Sequence, residues 1–429
     1  MDLSSGMLTD RYELTMLSSW VTDGSVQHRA VFEAFARKLP DGRRYGLLAG
    51  LGRLLDLIEG IRFRDDEVGW LHEQGVVSAA TAAYLRDFRF TGNIDAYPEG
   101  DLYFPGSPIL TVTGSLGECI VLETLVLSVL NHDSAIASAA ARMVTAADGR
   151  PLVEMGTRRT HEEAAIAAAR AAYIAGFAST SNLAAGRRYG IPTVGTAAHA
   201  FTLAHESEEA AFRSQVDAQG TDTTLLVDTF DISDGIRTAV KVAGPGLGAI
   251  RIDSGDLAEE SRKARALLDE LGATGTRIIV TSDLDEFVIT ALQDAPIDGY
   301  GVGTRVVTGS GHPTAAMVYK LVAVADGPGP DAPLRPVAKK SAAKVSVGGR
   351  KSVHREYADG VLTGETFSVD DRESDVQVPA IRDGVVTHRP SLTEIREHAA
   401  QAVASLPSEA RVVAAGAPYL TARLEGDPP

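Results

Sequence analysis

The chain has 429 residues, of which 44% are hydrophobic and 23% charged, and its formal net charge is −16 at pH 7. This composition is ordinary for a soluble globular protein, and the length allows two or three domains. The negative charge excludes nucleic acid and anionic membranes as main partners. Cys119 is the only cysteine, which excludes intrachain disulfides and thiolate metal cages.

The ends of the chain and its apolar runs predict a cytoplasmic protein. The amino terminus lacks a basic segment followed by an apolar core, so no signal peptide is expected. The longest apolar run, residues 120–130, is interrupted by Glu123 and is too short to span a bilayer. We therefore expect no membrane association.

The first part of the chain mixes helical and strand patterns. A helix is expected to begin near Thr9 or Asp10, which places Tyr12 in its first turn, where an ordinary half-buried aromatic is the simplest interpretation. Residues 31–40 alternate like a strand, and residues 90–115 form a turn-rich β segment. A long apolar helix then covers residues 118–147, with Asn131 and His132 as buried structural polar groups.

The middle of the chain repeats one unit about seven times, a short apolar run followed by a helix-compatible segment. Such runs are typical of buried parallel strands with helical crossovers, which predicts an α/β barrel. The runs are 152–161, 176–182, 191–201, 224–235, 248–257, 277–285 and 297–304. Active sites of such barrels lie at the carboxyl ends of the strands, and these ends carry the motifs GTRR, STSN, GTAAH, DTFD, DSGD, TSD and GVGT. Convergence of these polar residues indicates an enzyme.

The last part of the chain returns to β patterns before a final helix. Residues 313–327 predict a strand, residues 337–370 a β-meander, and residues 391–406 a helix that Ser391 and Glu394 cap. The basic segment 339–355 either reaches phosphate groups at the active site or forms a solvated turn. From Glu425 onward we expect a frayed tail. The sequence predicts an N-terminal α+β part over residues 1–117, an α/β barrel over residues 118–312 and a β-rich C-terminal part over residues 313–429.

The sharpest local motif is IRIDSGDL, residues 250–257. Residues two apart on a strand face the same side, so Arg251 and Asp253 are expected to point together into the barrel mouth. The arginine suits a carboxylate or phosphate, and Asp253 suits a developing positive charge or, with Asp256, a metal ion. The alternative is that Asp253 or Ser254 only caps the next helix.

Other strand ends supply weaker candidates. His199 follows a small turn, with no HxH or HExxH pattern that would indicate zinc, and a structural role is equally open. One of Arg158 and Arg159 is expected to bind an anionic substituent, whereas the other is expected to pair with a neighbouring acid. The GVGT turn after the last strand suits phosphate. Further polar residues suit a phosphorylated polyhydroxy ligand, although each alone is more typical of a cap: Asp228, Asp231, Ser181 and Asn182.

Taken together and in order, these motifs resemble the nicotinate phosphoribosyltransferase family over essentially the whole chain. The resemblance covers LTDRYELTM, FPGSPILTVTG, EMGTRRTH, STSNLAAGRRYGIPTVGTAAHAF, VDTFD, IRIDSGDL, YGVGTRVVTG and the basic 339–355 region. It implies an irregular TIM-like α/β barrel with an additional α+β domain built from the N-terminal and C-terminal segments. It also implies a homodimer with shared active sites, Mg²⁺, and ATP hydrolysis coupled to the joining of nicotinate and 5-phosphoribosyl 1-diphosphate.

The resemblance also implies roles for individual residues. Tyr12 would stack on the nicotinate ring at a subunit interface, and His199 would be transiently phosphorylated and take part in catalysis with Asp253 and Arg251. The residues implied in nicotinate binding are Tyr12, Thr196, Arg158, Arg251 and Asn182. Those implied in binding phosphoribosyl diphosphate are Gly301, Gly303, Thr304, Thr308, Ser254, Gly255 and Asp228. Asp253 and Asp256 are the candidate metal ligands.

Three other readings stay open from sequence. One is a sister phosphoribosyltransferase acting on nicotinamide or quinolinate, and another is a catalytically silent relative that only binds the ligands. A third, a barrel aldolase, would need a lysine at a strand end, and none of the seven strand ends carries one. Retention of His199, Asp253, Arg251 and the GVGT turn argues against the silent binder.

Overall fold

The structure is a computed structural model that describes residues 3–329, 332–339, 347–370 and 372–426. Its helices are α1 Arg11–Asp23, α2 Leu51–Glu59, α3 Asp65–Glu73, α4 Ala79–Arg86, α5 Leu116–Val121, α6 Glu123–Ala147, α7 Glu162–Ala175, α8 Leu183–Tyr189, α9 His199–Leu203, α10 Glu208–Gln219, α11 Ile232–Ala243, α12 Leu257–Glu270, α13 Glu286–Ala291, α14 Thr304–Val307, α15 Leu392–Ala404 and α16 Ser408–Arg411. Its strands are β1 Arg29–Ala36, β2 Gly46–Leu47, β3 Asn93–Ala96, β4 Leu102–Tyr103, β5 Pro108–Ser115, β6 Leu152–Glu154, β7 Ser179–Thr180, β8 Thr224–Leu226, β9 Ala249–Ile252, β10 Arg277–Val280, β11 Gly299–Val302, β12 Met317–Ala325, β13 Leu334–Pro336, β14 Ser352–Ala358, β15 Val361–Ser368, β16 Val378–Arg382, β17 Val385–Val386 and β18 Arg423–Leu424.

The chain divides into two compact units. Unit 1 comprises Met1–Ala135, Thr314–Ala410 and Ala415–Pro429, and unit 2 comprises Ile136–Pro313 with Arg411–Ala414. A domain is defined by its capacity to fold alone, so the domain borders drawn from the sequence stay a prediction.

Unit 1 is built on an antiparallel sheet of seven strands in the order β13-β12-β1-β5-β3-β16-β17. Strand β1 lies near the middle, paired with β12 on one side and β5 on the other, and its residues are almost all buried. The predicted capped helices are confirmed here: Asp10 caps α1, and Ser391 with Glu394 forms the capping box of α15. Asn131 also takes its predicted structural role, because its amide exchanges two hydrogen bonds with the backbone of Met317.

Unit 2 is a curled parallel sheet with helical crossovers, ordered β7-β6-β11-β10-β9-β8. The predicted α/β class with a barrel-like parallel sheet is confirmed, whereas the strand expected at residues 191–201 is wrong. That segment makes a single bridge, Thr193 to Thr180. Pro192 has no N–H to donate, which prevents a regular ladder there, and α9 begins soon afterwards.

The stretch Leu116–Ala147, which comprises α5 and α6, is long and apolar. Among the described residues it is the one helix long and apolar enough to cross a membrane by length and composition. However, 67% of its most apolar window is buried inside the protein, so most of that window belongs to the core.

Candidate active site

A cavity of about 570 Å³ opens at the carboxyl ends of the unit 2 strands. Its walls come from the segments that follow β6, β7, β9, β10 and β11, as expected for a site in an α/β barrel. Three arginines and two aspartates line it, so the cavity is locally cationic in a chain of net charge −16. Its lining residues are Met155, Thr157, Arg158, Arg159, Ser181, Gly195, Thr196, Ala197, Ala198, Arg251, Asp253, Thr281, Ser282, Asp283, Gly301, Gly303 and Thr304.

Arg251 forms the cationic wall of the cavity, because the alternation of β9 points its side chain inwards. Its Nη1 donates to the Thr196 hydroxyl and to the Ala197 carbonyl, 3.2 Å away. Burial lowers the pKa of the guanidinium, the charges of Asp253 and Asp228 oppose this shift, and the charge of Arg158 adds to it. Its buried Nε has no hydrogen-bond partner among the described residues. An anionic ligand would relieve both the repulsion and the unpaired donor.

Asp253 lies two residues after Arg251 and also lines the cavity. Its carboxylate accepts a hydrogen bond from the Thr281 hydroxyl, and its backbone N–H donates to Asp228 at 2.8 Å. The alternative that Asp253 or Ser254 caps the next helix is wrong, because Asp256 caps α12 through the N–H groups of Ala258 and Glu259. Asp253 is therefore left facing the cavity, as the strand alternation predicts.

Asp228 does not line the cavity but lies behind this wall, where it accepts hydrogen bonds from several site residues. Its side chain is 1% exposed, and one oxygen accepts from the Asp253 N–H and from the Ser254 hydroxyl, 2.7 Å away. The other oxygen lies 3.1 Å from Nε2 of His199. One buried carboxylate thus orients both the DSGD turn and the histidine.

His199 begins α9 beside the cavity, directly after the lining residue Ala198. Its side chain is 42% exposed. Because Nε2 faces a carboxylate, the neutral ring carries its proton there and leaves Nδ1 as the free acceptor nitrogen. Although its side chain is partly exposed, the histidine is therefore held in one orientation by Asp228.

The GVGT turn presents backbone to the cavity. Gly301, Gly303 and Thr304 line it, whereas the Thr308 hydroxyl is turned back onto the Thr304 carbonyl at 2.8 Å. A Cβ on Gly301 would lie 2.6 Å from a carbon of Thr281, so only glycine allows this close approach of neighbouring strands. The exposed backbone suits an anion such as phosphate.

Several residues predicted for the site take other positions in unit 2. Asn182 is buried and caps α8 by accepting the Ala185 N–H at 2.8 Å. Ser254, Gly255 and Asp256 are exposed in the turn before α12 and are not among the cavity-lining residues. Asp231, in the same way, caps α11.

Tyr12 belongs to unit 1, where it lies in the first turn of α1 as predicted. The residue is 46% exposed, and its phenol lies near the Glu123 carboxylate. Burial and the neighbouring carboxylates raise the pKa of the phenol. The adjacent Glu13 is buried and accepts the Thr124 N–H at 2.9 Å, which fixes the start of α1 against the start of α6. Tyr12 is therefore an exposed aromatic ring on a rigid support.

The basic segment 339–355 supplies ion pairs within unit 1. Lys351 is buried, with its Nζ 2.5 Å from Glu33, and Arg350 lies 3.0 Å from Asp95. Arg355 is held between Asp101 and Glu365, at 2.7 and 2.8 Å. Residues 340–346, which include the remaining lysines of the segment apart from Lys339, lie outside the described residues, as does the end of the predicted frayed tail.

The sequence placed the TSD end of β10 among the polar strand ends but gave no individual role to its three residues, and it did not single out Met155. Met155 supplies an apolar surface, and Thr281, Ser282 and Asp283 supply the TSD end of β10. Ser282 has φ of 131°, a conformation that is strained for a residue with a side chain. The TSD motif at a strand end was a usable signal, whereas nothing local in the sequence distinguishes Met155 from a core methionine.

A parallel α/β half-barrel with a cationic cavity at its strand ends is typical of an enzyme that acts on anionic substrates. The comparisons with known proteins specify which enzyme. Residues 7–131 match the model of the nicotinate phosphoribosyltransferase N-terminal domain. The chain is 54% identical to nicotinate phosphoribosyltransferase pncB1 of Mycobacterium tuberculosis over 98% of this chain and 95% of that protein. It is 39% identical to nicotinate phosphoribosyltransferase of Bacillus subtilis, over 82% of this chain and 74% of the relative.

The fold agrees with a solved structure of a nicotinic acid phosphoribosyltransferase. Human nicotinic acid phosphoribosyltransferase superposes with a TM-score of 0.81 at 24% identity, covering 96% of this chain and 97% of that one. The chain therefore belongs to the nicotinate phosphoribosyltransferase family. The predictions of family and of enzyme activity in NAD salvage are confirmed.

Proposed function

We propose that the protein condenses nicotinate with 5-phosphoribosyl 1-diphosphate to nicotinate mononucleotide and diphosphate, coupled to ATP hydrolysis in the cytoplasm. The observation that carries the proposal is the cavity wall formed by Arg251 and Asp253. It sets a cation with an unpaired Nε beside a carboxylate at one rim. An anionic substrate that develops positive charge at its reacting carbon suits this pair.

The nicotinate end of the site is assigned to Arg158, Thr196 and Tyr12. Arg158 is exposed at the cavity and has no ion-pair partner among the described residues, so it is available for the pyridine carboxylate. Tyr12 would stack on the ring as part of a homodimer with shared active sites. The support for this role is its exposed aromatic ring in the first turn of α1.

At the ribose, the pyridine nitrogen attacks C1 as the bond from C1 to the diphosphate oxygen breaks. The electron pair of that bond leaves with diphosphate, and positive charge builds on the ribose before the new C–N bond is complete. The Asp253 carboxylate, held by Thr281, lies in the cavity where it would stabilise that charge. The cavity would also hold the two reactants in a reactive orientation, which contributes further to the rate enhancement.

Phosphate groups are assigned to the backbone of Gly301, Gly303 and Thr304. Magnesium fits the donor set, since Asp253 and Asp283 line the cavity and Mg²⁺ is commonly held by one or two carboxylates together with substrate phosphates. Bound there, it would neutralise charge on the departing diphosphate. No group of three His, Cys, Asp or Glu side chains suitable for a metal occurs among the described residues, so substrate oxygens would complete its coordination.

ATP coupling is assigned to His199. Its Nδ1 lone pair would accept the γ-phosphoryl group of ATP, releasing ADP, and hydrolysis of the phosphohistidine would follow turnover. The support is the orientation of the ring by Asp228 through Nε2. A negatively charged phosphohistidine beside the cavity would strengthen binding of Mg²⁺ and phosphoribosyl diphosphate.

The test is product formation from phosphoribosyl diphosphate and Mg²⁺, comparing nicotinate with nicotinamide, each with and without ATP. We expect the mononucleotide from nicotinate, stimulated by ATP, and loss of only the stimulation in His199→Ala. Turnover of nicotinamide or quinolinate instead would move the activity to a sister enzyme. Absence of turnover with every base would favour a silent binder.

A further inference from the structure

A buried carboxylate connects two of the loops that line the cavity. Glu154, the last residue of β6, is 0% exposed. One of its oxygens accepts the Gly156 N–H, and the other accepts the Thr180 hydroxyl at 2.5 Å. No ion pair joins it in the part of the chain that the structure describes. Burial of an unpaired carboxylate costs free energy of folding, so its retention here indicates a specific role.

The hydrogen bonds continue from Glu154 into both loops. The Thr180 hydroxyl accepts the Asn182 N–H at 3.0 Å, and the Asn182 amide donates to the Thr157 hydroxyl at 3.2 Å. The backbone carbonyl of Glu154 also accepts the Ser181 N–H at 2.8 Å. The result is a closed ring of contacts that joins the GTRR loop, which carries Arg158, to the STSN turn.

The packing around Gly156 leaves this ring little freedom. A Cβ at Gly156 would lie 2.9 Å from a carboxylate oxygen of Glu154 and 3.0 Å from the Gly303 carbonyl. The GTRR loop therefore lies against the GVGT turn as well as against Glu154. A shift of the loop at Gly156 would move Thr157 and Arg158 relative to the cavity.

We propose that Glu154 is a positioning residue for nicotinate recognition, which sets the GTRR loop so that Arg158 meets the pyridine carboxylate. This inference rests on the proposed function, because it takes Arg158 as the carboxylate partner. A carboxylate suits the task, since both of its oxygens accept from the fixed donors Gly156 and Thr180. A glutamine would point an amide N–H₂ at one of these donors, leaving a buried group without an acceptor.

The decisive variants change Thr180, which is buried and whose hydroxyl links Glu154 to the backbone of Asn182. Thr180→Val keeps the shape but removes both the donor to Glu154 and the acceptor of the Asn182 N–H, while Thr180→Ser keeps both. Thr276→Val is the matched control, because the Thr276 hydroxyl is equally buried and donates to the Leu247 carbonyl at 2.8 Å before β10, at the opposite end of the sheet. Steady-state kinetics with nicotinate and phosphoribosyl diphosphate, together with thermal melting, would be measured for all three.

We expect Thr180→Val to raise the KM for nicotinate about tenfold, the factor that corresponds to 1.4 kcal/mol. Its kcat and its KM for phosphoribosyl diphosphate should stay within about twofold, because the change removes only the two hydrogen bonds of the Thr180 hydroxyl, to Glu154 and from Asn182. Thr180→Ser and Thr276→Val should keep the wild-type KM for nicotinate. If Thr180→Val does not fold, Glu154→Gln provides the same test.

Two results would overturn the inference. Equal KM values for nicotinate in Thr180→Val and Thr276→Val would reduce Glu154 to an ordinary structural residue. A uniform loss of kcat with both substrates' KM values unchanged would do the same, since it reports a smaller folded fraction. Arg158→Ala separates the two proposals: an unchanged KM for nicotinate in that variant removes the carboxylate assignment itself, whatever Thr180→Val does.

Discussion

Replacement of Asp228 by asparagine tests how the histidine is coupled to the cavity. One oxygen of Asp228 receives two donors, the Asp253 N–H and the Ser254 hydroxyl. An asparagine must turn its single oxygen towards them, because its N–H₂ group there would face a backbone donor. The N–H₂ group then faces His199, donates to Nε2, and moves the ring proton to Nδ1. The fold is retained, but the histidine is held in the tautomer that cannot accept a phosphoryl group on Nδ1.

The size of the effect follows from the hydrogen bond that is lost. Hydrogen bonds to a charged group contribute about 1.5–3 kcal/mol, and each 1.4 kcal/mol is a factor of about ten. Asp228→Asn should therefore lower the rate of His199 phosphorylation about 10- to 150-fold. Synthesis of the mononucleotide without ATP should change much less, because Asp253 keeps its backbone contact to position 228.

The assay is transfer of label from γ-labelled ATP to the protein, with ADP released per mononucleotide formed. Asp231→Asn is the control within the same motif, since Asp231 is exposed and only caps α11. Labelling should be lost in Asp228→Asn and kept in Asp231→Asn. Wild-type labelling and ATP stimulation in Asp228→Asn would refute the orientation of His199 by this carboxylate.

Three further changes give distinct outcomes. Lys351→Met should lower stability by about 3–5 kcal/mol, because it strands a buried charge, whereas adding Glu33→Gln should recover most of it in thermal melts. Burial raises the pKa of Glu33 while the charge of Lys351 lowers it, so removal of Lys351 raises this pKa further in the folded variant. The stability loss should therefore grow as pH rises from the unfolded pKa towards the folded pKa of Glu33; a pH-independent loss contradicts this. Arg251→Lys should lower kcat/KM about 10- to 100-fold, since lysine cannot reproduce the guanidinium fork, and wild-type kinetics would exclude that role. Glu123→Gln should raise the KM for nicotinate a few-fold in the wild type but not in Tyr12→Phe, whereas equal effects in both would show that Glu123 does not act through the phenol.

The periodic features of this chain were readable from sequence. Alternation along β9 put Arg251 and Asp253 on one face, and both line the cavity. The segment 191–201 also begins with an apolar run, but it does not form a regular strand, because Pro192 cannot donate to a ladder. Periodicity thus reports which face a residue occupies, whereas formation of a strand also requires donors at the correct positions.

Acidic residues at strand ends take three different structural roles, and the local sequence does not distinguish them. Asp253 faces the cavity, Asp256 and Asp231 cap helices, and Asp228 lies behind the wall as an acceptor for three groups. All four follow a buried strand and precede a helix, so their local patterns are alike. The difference is set by donors that arrive from other loops, such as His199, which is 29 residues away from its partner in sequence.

The buried acids explain how a chain of net charge −16 keeps a cationic cavity. Asp228 takes donors from the backbone and from His199, and Glu154 takes them from Gly156 and Thr180. Neither forms an ion pair with Arg158, the cation assigned to nicotinate, among the described residues. Their charges are satisfied by neutral donors, so they order the loops without neutralising the guanidinium that the substrate needs. An acid moved from either position to the cavity surface would compete with the substrate carboxylate for that arginine.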